Sequence, residues 1–339
     1  MNCEYFGKCG SCTIHDLGYE GQLDFKIQRE KERFSNFTDI DFDIVKSGEQ
    51  NFRNRAEFKI WKNFDEEDRA TLSYAMTSVD KNVLEINSCQ IVSSEIAQLM
   101  PKLLEEIQKE AKICISELYA EQNPIANMAT LKGFDYMLSK AYEDKIDVDP
   151  QEIKKLMKMM RKNSVAFILT HKTYLDTAVL ISTLHRYGMP IPYFFGGINL
   201  AMPGVKKIGK SSGLIFLRRS FKDDAVYKAS LRHYISTLIE NGDHLTWNIE
   251  GTRSRTGKIV YPKMGILKYI VEGEQASTRD IKYVPVSIVY DLIPDVKEMT
   301  EEGRGSGKKS ENLALFGKYI KNLGHRYGRA SIRFGEAVD

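Results

Sequence analysis

From about Lys132 onward, short apolar runs alternate with amphipathic stretches of helical period. That alternation is what a β-sheet with helices packed on its faces requires, and it restricts this part of the chain to an α/β architecture. Residues 165–169, 191–195, 245–249, 284–289 and 331–334 read as strands. Between them, 174–187 runs into Gly188 and 224–240 runs toward Gly242, the glycine stops expected of two helices. The charged, glycine-rich segment EEGRGSGKKSEN, 301–312, reads as a mobile loop. Of the 339 residues, 42% are hydrophobic and 28% charged, values that exclude a disordered or many-spanned membrane protein. A net charge of +3 is too small to indicate a nucleic-acid binder by itself.

The first third of the chain has a different character. Four of the five cysteines, Cys3, Cys9, Cys12 and Cys89, lie within it; Cys114 follows, and the remainder has none. A helix is expected over 17–37. A strand is expected over 52–60, where Phe52, Ala56, Phe58 and Ile60 alternate with Arg53, Arg55, Glu57 and Lys59. The run TLSYAM completes a hairpin, and a second helix, over 93–120, carries Pro101 as a point of interruption. The composition shift divides the chain into residues 1–110, a small α+β module containing cysteines, and residues 111–339, the α/β domain. Cys3, Cys9 and Cys12, spaced C-x5-C-x2-C, with Cys89 remote, suit an iron–sulfur cluster, zinc or unligated thiols, and spacing does not choose among them.

Chemistry concentrates in the second part. In THKTYLD, His171 follows an apolar strand and Asp176 lies five positions later. On one regular helix their side chains would diverge by roughly 140°. They meet if His171 occupies the strand-to-helix loop and Asp176 the first helical turn. The aspartate would then accept one ring N–H, leaving the other nitrogen to take a proton. Taken alone, the pair is more often a surface histidine and a helix-start aspartate. GLIFLRRSF sets Arg218 and Arg219 at a strand end, and EGTRSRTGK sets Glu250, Gly251, Thr252, Arg253, Ser254 and Arg255 at another, where open α/β sheets keep their sites. Arginine forks, a hydroxyl and glycine-exposed N–H groups suit a phosphate. In YVPVSIVYD, Pro285 falls early in an apolar run, the position of an edge-strand start.

HKTYLD, GLIFLRR, EGTRSRTG and YVPVSIVYD together resemble the four ordered blocks of the glycerolipid acyltransferase superfamily, most closely its glycerol-3-phosphate acyltransferase branch, over about 110–339. The resemblance implies an α/β fold and transfer of a fatty acyl group from a thioester, acyl-CoA or acyl carrier protein, to a hydroxyl of glycerol 3-phosphate in phospholipid synthesis, or of 1-acylglycerol 3-phosphate in a related activity. No cofactor or metal is implied for that reaction. By the same resemblance His171 is the general base and Asp176 its orienter. Arg218, Arg253 and Ser254 contact the acceptor phosphate, Glu250 and Gly251 shape that site, and Pro285 borders the acyl-donor region. A cytoplasmic protein, peripheral on the inner membrane face, is expected. Phe194, Phe195, Leu200 and Met202 with Lys206, Lys207 and Lys210 are the expected membrane contacts.

CEYFGKCGSC, FRNRAEFKIW and INSCQI resemble the N-terminal region of the RNA uridine-5-methyltransferase family over about 1–107. Some members hold a 4Fe-4S cluster on cysteines matching Cys3, Cys9, Cys12 and Cys89. The resemblance ends before the S-adenosylmethionine domain. The chain therefore reads as a fusion, with an RNA-binding or methyltransferase-related protein lacking its methyl-donor domain as the alternative function. The basic residues Arg53, Arg55 and Lys59 would carry the RNA contact.

Overall fold

The computed structural model describes residues 3–37, 41–64, 70–142, 146–201, 204–254, 258–304, 313–324 and 327–338. They divide into two compact units, Met1–Glu110 and Ala111–Asp339.

In the first unit, α1 (Gly18–Phe34) precedes a three-stranded antiparallel sheet of β1 (Lys59–Phe64), β2 (Ala70–Thr77) and β3 (Val83–Ile86). Helix α2 (Ser94–Leu118) follows and crosses the division between the units. Tyr74, Ile86, Val92 and Met100 form the small core, and the Tyr74 hydroxyl donates to the Met100 carbonyl at 2.7 Å. The strand expected over 52–60 begins only at Lys59. Arg53 instead bridges to Val92, and exposed Arg55 pairs with Glu57 at 3.0 Å, so the basic stripe is not one face of a strand. Pro101 lies inside α2 without interrupting it.

The second unit adds α3 (Pro124–Ala141), β4 (Asp147–Val148), α4 (Pro150–Met160), β5 (Ser164–Leu169), α5 (Asp176–Arg186) and β6 (Tyr193–Gly197). It continues with α6 (Val205–Ser211), β7 (Leu214–Leu217), α7 (Ala225–Glu240), β8 (Leu245–Asn248) and α8 (Gly265–Gln275). β9 (Ile281–Tyr290), α9 (Val296–Gly303), α10 (Leu313–Asn322) and β10 (Ala330–Phe334) complete it. The seven strands lie in the order β4-β10-β9-β5-β8-β6-β7, with β9, β5, β8, β6 and β7 mutually parallel and β10 antiparallel to β9.

The period-two alternation of β5 explains the layering. Val165, Phe167 and Leu169 face a core shared with α3, α4 and α5, whereas Ala166 faces a second core built from α7, α8 and the end of α2. Both faces of β5 are covered, and its residues run almost continuously buried. One expectation fails here, and another is met only in part by described residues. Pro285 lies within β9, hydrogen-bonded on one side to β5 and on the other to β10, so it is not at a sheet edge. The local reason is that a proline still accepts: its carbonyl takes the Gly335 N–H at 2.8 Å. Residues 301–303 of the expected loop end α9, and 305–312 lie outside the described residues.

Candidate active site

Because β5, β7, β8 and β9 are parallel, their carboxyl ends open on one edge of the sheet, and the four sequence blocks lie on those strands or just beyond them. β5 leads into the loop carrying His171, and α5 opens with Asp176, which is 2% exposed. The His171 Nδ1 lies 3.4 Å from Asp176 Oδ2. The same carboxylate oxygen accepts the backbone N–H of Lys172 at 2.7 Å and of Thr173 at 3.0 Å. Its other oxygen accepts the Tyr290 hydroxyl at 2.8 Å. Asp176 thus folds the loop back on the helix start as well as contacting the imidazole. Burial, and then the Asp176 charge, push the Tyr290 phenol well above its usual range, so it stays a donor. Tyr142 stacks on that phenol at 5.2 Å between ring centroids.

The loop after β8 joins this arrangement through the backbone. The Ser254 N–H donates to the His171 carbonyl at 2.8 Å, and the Ser254 hydroxyl donates to the Lys258 carbonyl at 2.8 Å. Gly251 has φ +65°, where a side chain is strained, and a Cβ there would come within 2.8 Å of Lys263 Cδ. Glu250 is fully buried, with the Lys172 ammonium 3.6 Å from its Oε1. Arg253, 8% exposed, has Nε 3.8 Å from Asp295 Oδ1, and its guanidinium lies over the Tyr174 ring at 5.2 Å. Asp295 also accepts from the Thr173 hydroxyl, and from Tyr319 at 3.3 Å.

Arg218 sits just past β7, as expected, but its guanidinium is already engaged. Nε donates to Glu117 at 2.8 Å, Nη1 to Asp224 at 2.7 Å, and the group lies 4.5 Å over the Tyr227 ring. The Glu117 hydrogen bond raises its pKa, which fixes the charge in that network. Arg219 beside it is exposed. The sequence reading did not single out Lys172, Tyr290, Asp295 or Tyr319. Lys172 and Tyr290 lie inside the first and fourth blocks, while Asp295 and Tyr319 lie outside all four.

The described residues also locate the other expectations. Arg255 and Met202 fall outside them. Phe194 and Phe195 are half-buried in β6, and Lys210 donates to the Ser116 carbonyl at 2.7 Å, leaving Lys206 and Lys207 as the exposed cations of that patch. No described helix is long and apolar enough to cross a membrane.

Comparison with known proteins decides the family resemblance. Residues 150–289 match the acyltransferase family. The acyltransferase-like stretch contains all four blocks except the end of the last. plsB1 of Mycobacterium tuberculosis, named as a candidate acyltransferase, is 36% identical over 235 residues, or 69% of this chain and 37% of plsB1. The Mycobacterium bovis plsB1 matches to the same extent. A solved 1-acyl-sn-glycerophosphate acyltransferase, PlsC from Thermotoga maritima, aligns with a TM-score of 0.36 at 17% identity, covering 62% of this chain and 68% of that one. Residues 18–183 match the tRNA (uracil-5-)-methyltransferase family. The tRNA/tmRNA (uracil-C(5))-methyltransferase of Aliarcobacter butzleri is 61% identical over 113 residues, 33% of this chain and 30% of that enzyme. This chain therefore spans about a third of the length of these curated relatives. The methyltransferase match runs beyond the expected 107 and overlaps the acyltransferase match at 150–183, a stretch that holds α4, β5 and most of α5 of the second unit.

In the first unit, Cys3, Cys9, Cys12 and Cys89 line one cavity of about 70 Å³ together with His15 and Arg53. Burial first, then the neighbouring thiols, push the Cys12 thiol up, favouring its neutral form. Among the described residues no group of three or more His, Cys, Asp or Glu has an arrangement able to hold a metal ion. Sharing a cavity falls short of a ligand set, and the structure does not support the 4Fe-4S expectation.

Proposed function

We propose that residues 111–339 transfer an acyl group from a thioester to a hydroxyl of glycerol 3-phosphate. The observation that carries this reading is the His171–Asp176 contact at the carboxyl end of β5, with no protein nucleophile in it. Asp176 holds Nδ1, so Nε2 faces the reaction. As the acceptor oxygen attacks the thioester carbonyl, Nε2 takes its proton. The tetrahedral oxyanion then collapses, breaking the C–S bond, and the imidazolium returns the proton to the departing thiolate. General-base assistance of this kind contributes roughly 10²–10⁴ in rate. Glu250, Gly251, Arg253 and Ser254 surround the acceptor, and Pro285 supports the donor side through its register opposite Ile168 on β5.

Arg218 acts in this reading by fixing the end of β7, because Glu117 and Asp224 already occupy its fork. Peripheral attachment to an anionic membrane belongs to the same proposal, with Lys206, Lys207 and exposed Ile208 as its contacts. Purified protein supplied with labelled acyl-CoA or acyl carrier protein and glycerol 3-phosphate tests the activity. Labelled acylglycerol phosphate is expected. Thioester hydrolysis without acyl transfer to any polyol phosphate would refute it.

A further inference from the structure

Cys3, Cys9, Cys12 and Cys89 share the wall of one cavity of about 70 Å³ in the first unit. Thiols gathered in this way either ligate a metal ion or exchange for disulfides. Ligation needs three or more groups aimed at one point, an arrangement absent among the described residues. A disulfide needs only a pair. The chain supplies two pairs. Cys9 and Cys12 end the C-x-x-C turn CGSC, whose first half is pinned: the Cys9 N–H donates to the Tyr5 carbonyl at 2.8 Å and the Gly10 N–H to the Thr77 carbonyl at 3.2 Å. Of the thiols that act on Cys12, Cys9 acts most strongly. The segments carrying Cys3 and Cys89 are joined by the Asn87 N–H, which donates to the Tyr5 hydroxyl at 3.0 Å, and Tyr5 and Asn87 each lie two positions from their cysteine. His15 also lines the cavity, and its Nε2 is buried without a hydrogen-bond partner. That nitrogen gives a thiol proton an acceptor, and Arg53 on the same wall adds a positive charge that favours thiolate. The space holds about two water-sized molecules, enough for hydrogen peroxide and too little for a disulfide tripeptide such as oxidised glutathione. Cys114 is fully buried in the second unit, away from this chemistry.

We propose that this cavity is a peroxide-responsive dithiol site, in which hydrogen peroxide closes Cys9 to Cys12 and Cys3 to Cys89. In each pair one sulfur attacks a peroxide oxygen, the O–O bond breaks, and the departing hydroxide takes up the thiol proton as water. The second thiol then attacks the sulfenic sulfur, the S–O bond breaks, and hydroxide leaves with the second proton as another water. Two thiols are oxidised and one peroxide is reduced per disulfide. The test uses the full chain, reduced and then freed of reductant, treated with hydrogen peroxide, unfolded, alkylated and digested with trypsin. Alkylated cysteines should fall from five to one, Cys114, and dithiothreitol should restore all five. Lys8 separates Cys3 from Cys9, so the digest tells the pairs apart: Cys9–Cys12 stays within one peptide, and Cys3–Cys89 joins two. Any other pairing, sulfinic or sulfonic acids without disulfides, or thiols shielded by iron or zinc in the protein as purified, would overturn the site. Cys89→Ser should abolish the joined peptides and keep the Cys9–Cys12 disulfide; loss of both would overturn the assignment of two independent pairs. Oxidised glutathione at the same concentration should act at least about tenfold more slowly, and an equal rate would overturn the choice of oxidant.

Discussion

Replacing Asp176 by asparagine separates its two duties. The carboxylate meets His171 and accepts three further donors, the N–H groups of Lys172 and Thr173 and the Tyr290 hydroxyl, in surroundings where Asp176 and Thr173 are at most 2% exposed. An amide has one accepting oxygen. If that oxygen faces the two N–H groups, the amide N–H₂ is turned on Tyr290, and in the opposite flip it is turned on the loop. In the first flip the Tyr290 oxygen accepts from the amide and its own proton loses its acceptor, in the second the amide and the loop N–H groups are donor against donor, and in both the charge assistance is lost, a combined cost of about 3–5 kcal/mol. For a unit of this size that corresponds to a fall in melting temperature of about 6–20 °C. His171→Ala, by contrast, removes a ring that is 21% exposed and leaves the carboxylate with its other three donors, so its melting temperature should stay near wild type. Turnover per folded molecule should fall in both, further in His171→Ala, by roughly 10²–10⁴. Scanning calorimetry beside an acyl-transfer assay on both variants decides. If Asp176→Asn melts with wild type, or His171→Ala melts as low as Asp176→Asn, the loop-clamping role is refuted.

Burial depresses His244 to a pKa of about 4, and its Nδ1 accepts the Val165 N–H at 3.1 Å where β5 begins, so the native state keeps the ring neutral. The unfolded chain binds its proton near pH 6.5, so this stabilisation, about 3 kcal/mol at most, is complete above that pH and disappears as pH falls toward 4; melting curves of His244→Gln should flatten over that window, and an unchanged slope would count against the assignment. Arg218→Lys should lower stability by about 1–2 kcal/mol because one ammonium cannot span Glu117 and Asp224, with little change in KM for glycerol 3-phosphate; a large KM rise in a stable variant would return Arg218 to the acceptor site. Asp295→Ala leaves Arg253 and Thr173 without a carboxylate they both reach, and denaturant titration should find a loss of about 3–5 kcal/mol, whereas a loss under 1 kcal/mol would show that these side chains re-pair locally.

Much of the second unit is written in local sequence. The apolar runs at 165–169 and 245–249 become β5 and β8 almost unchanged, because a strand covered on both faces must be apolar along its whole length, whatever its neighbours are. The helix ends at Gly188 and Gly242 follow from backbone freedom at positive φ, 69° and 79°. The His171–Asp176 contact was also legible, since five residues of loop and helix start suffice to bring them together. What the sequence could not express is pairing across long separations. Nothing local says that β9 inserts between β5 and β10, which turns Pro285 from an edge signal into an interior strand residue. Nor does anything local say that Tyr290, 114 positions away, completes the coordination of Asp176, or that Thr173 meets Asp295, 122 positions away. Arg218 is the clearest case. Its place at a strand end is a local property, but whether its fork is free or spent depends on Glu117, 101 residues earlier, and only the tertiary fold brings that carboxylate within 2.8 Å. Periodicity and capping are short-range physics and survive in one dimension; the burial of a charge and the identity of its partner are set by the packing of distant segments.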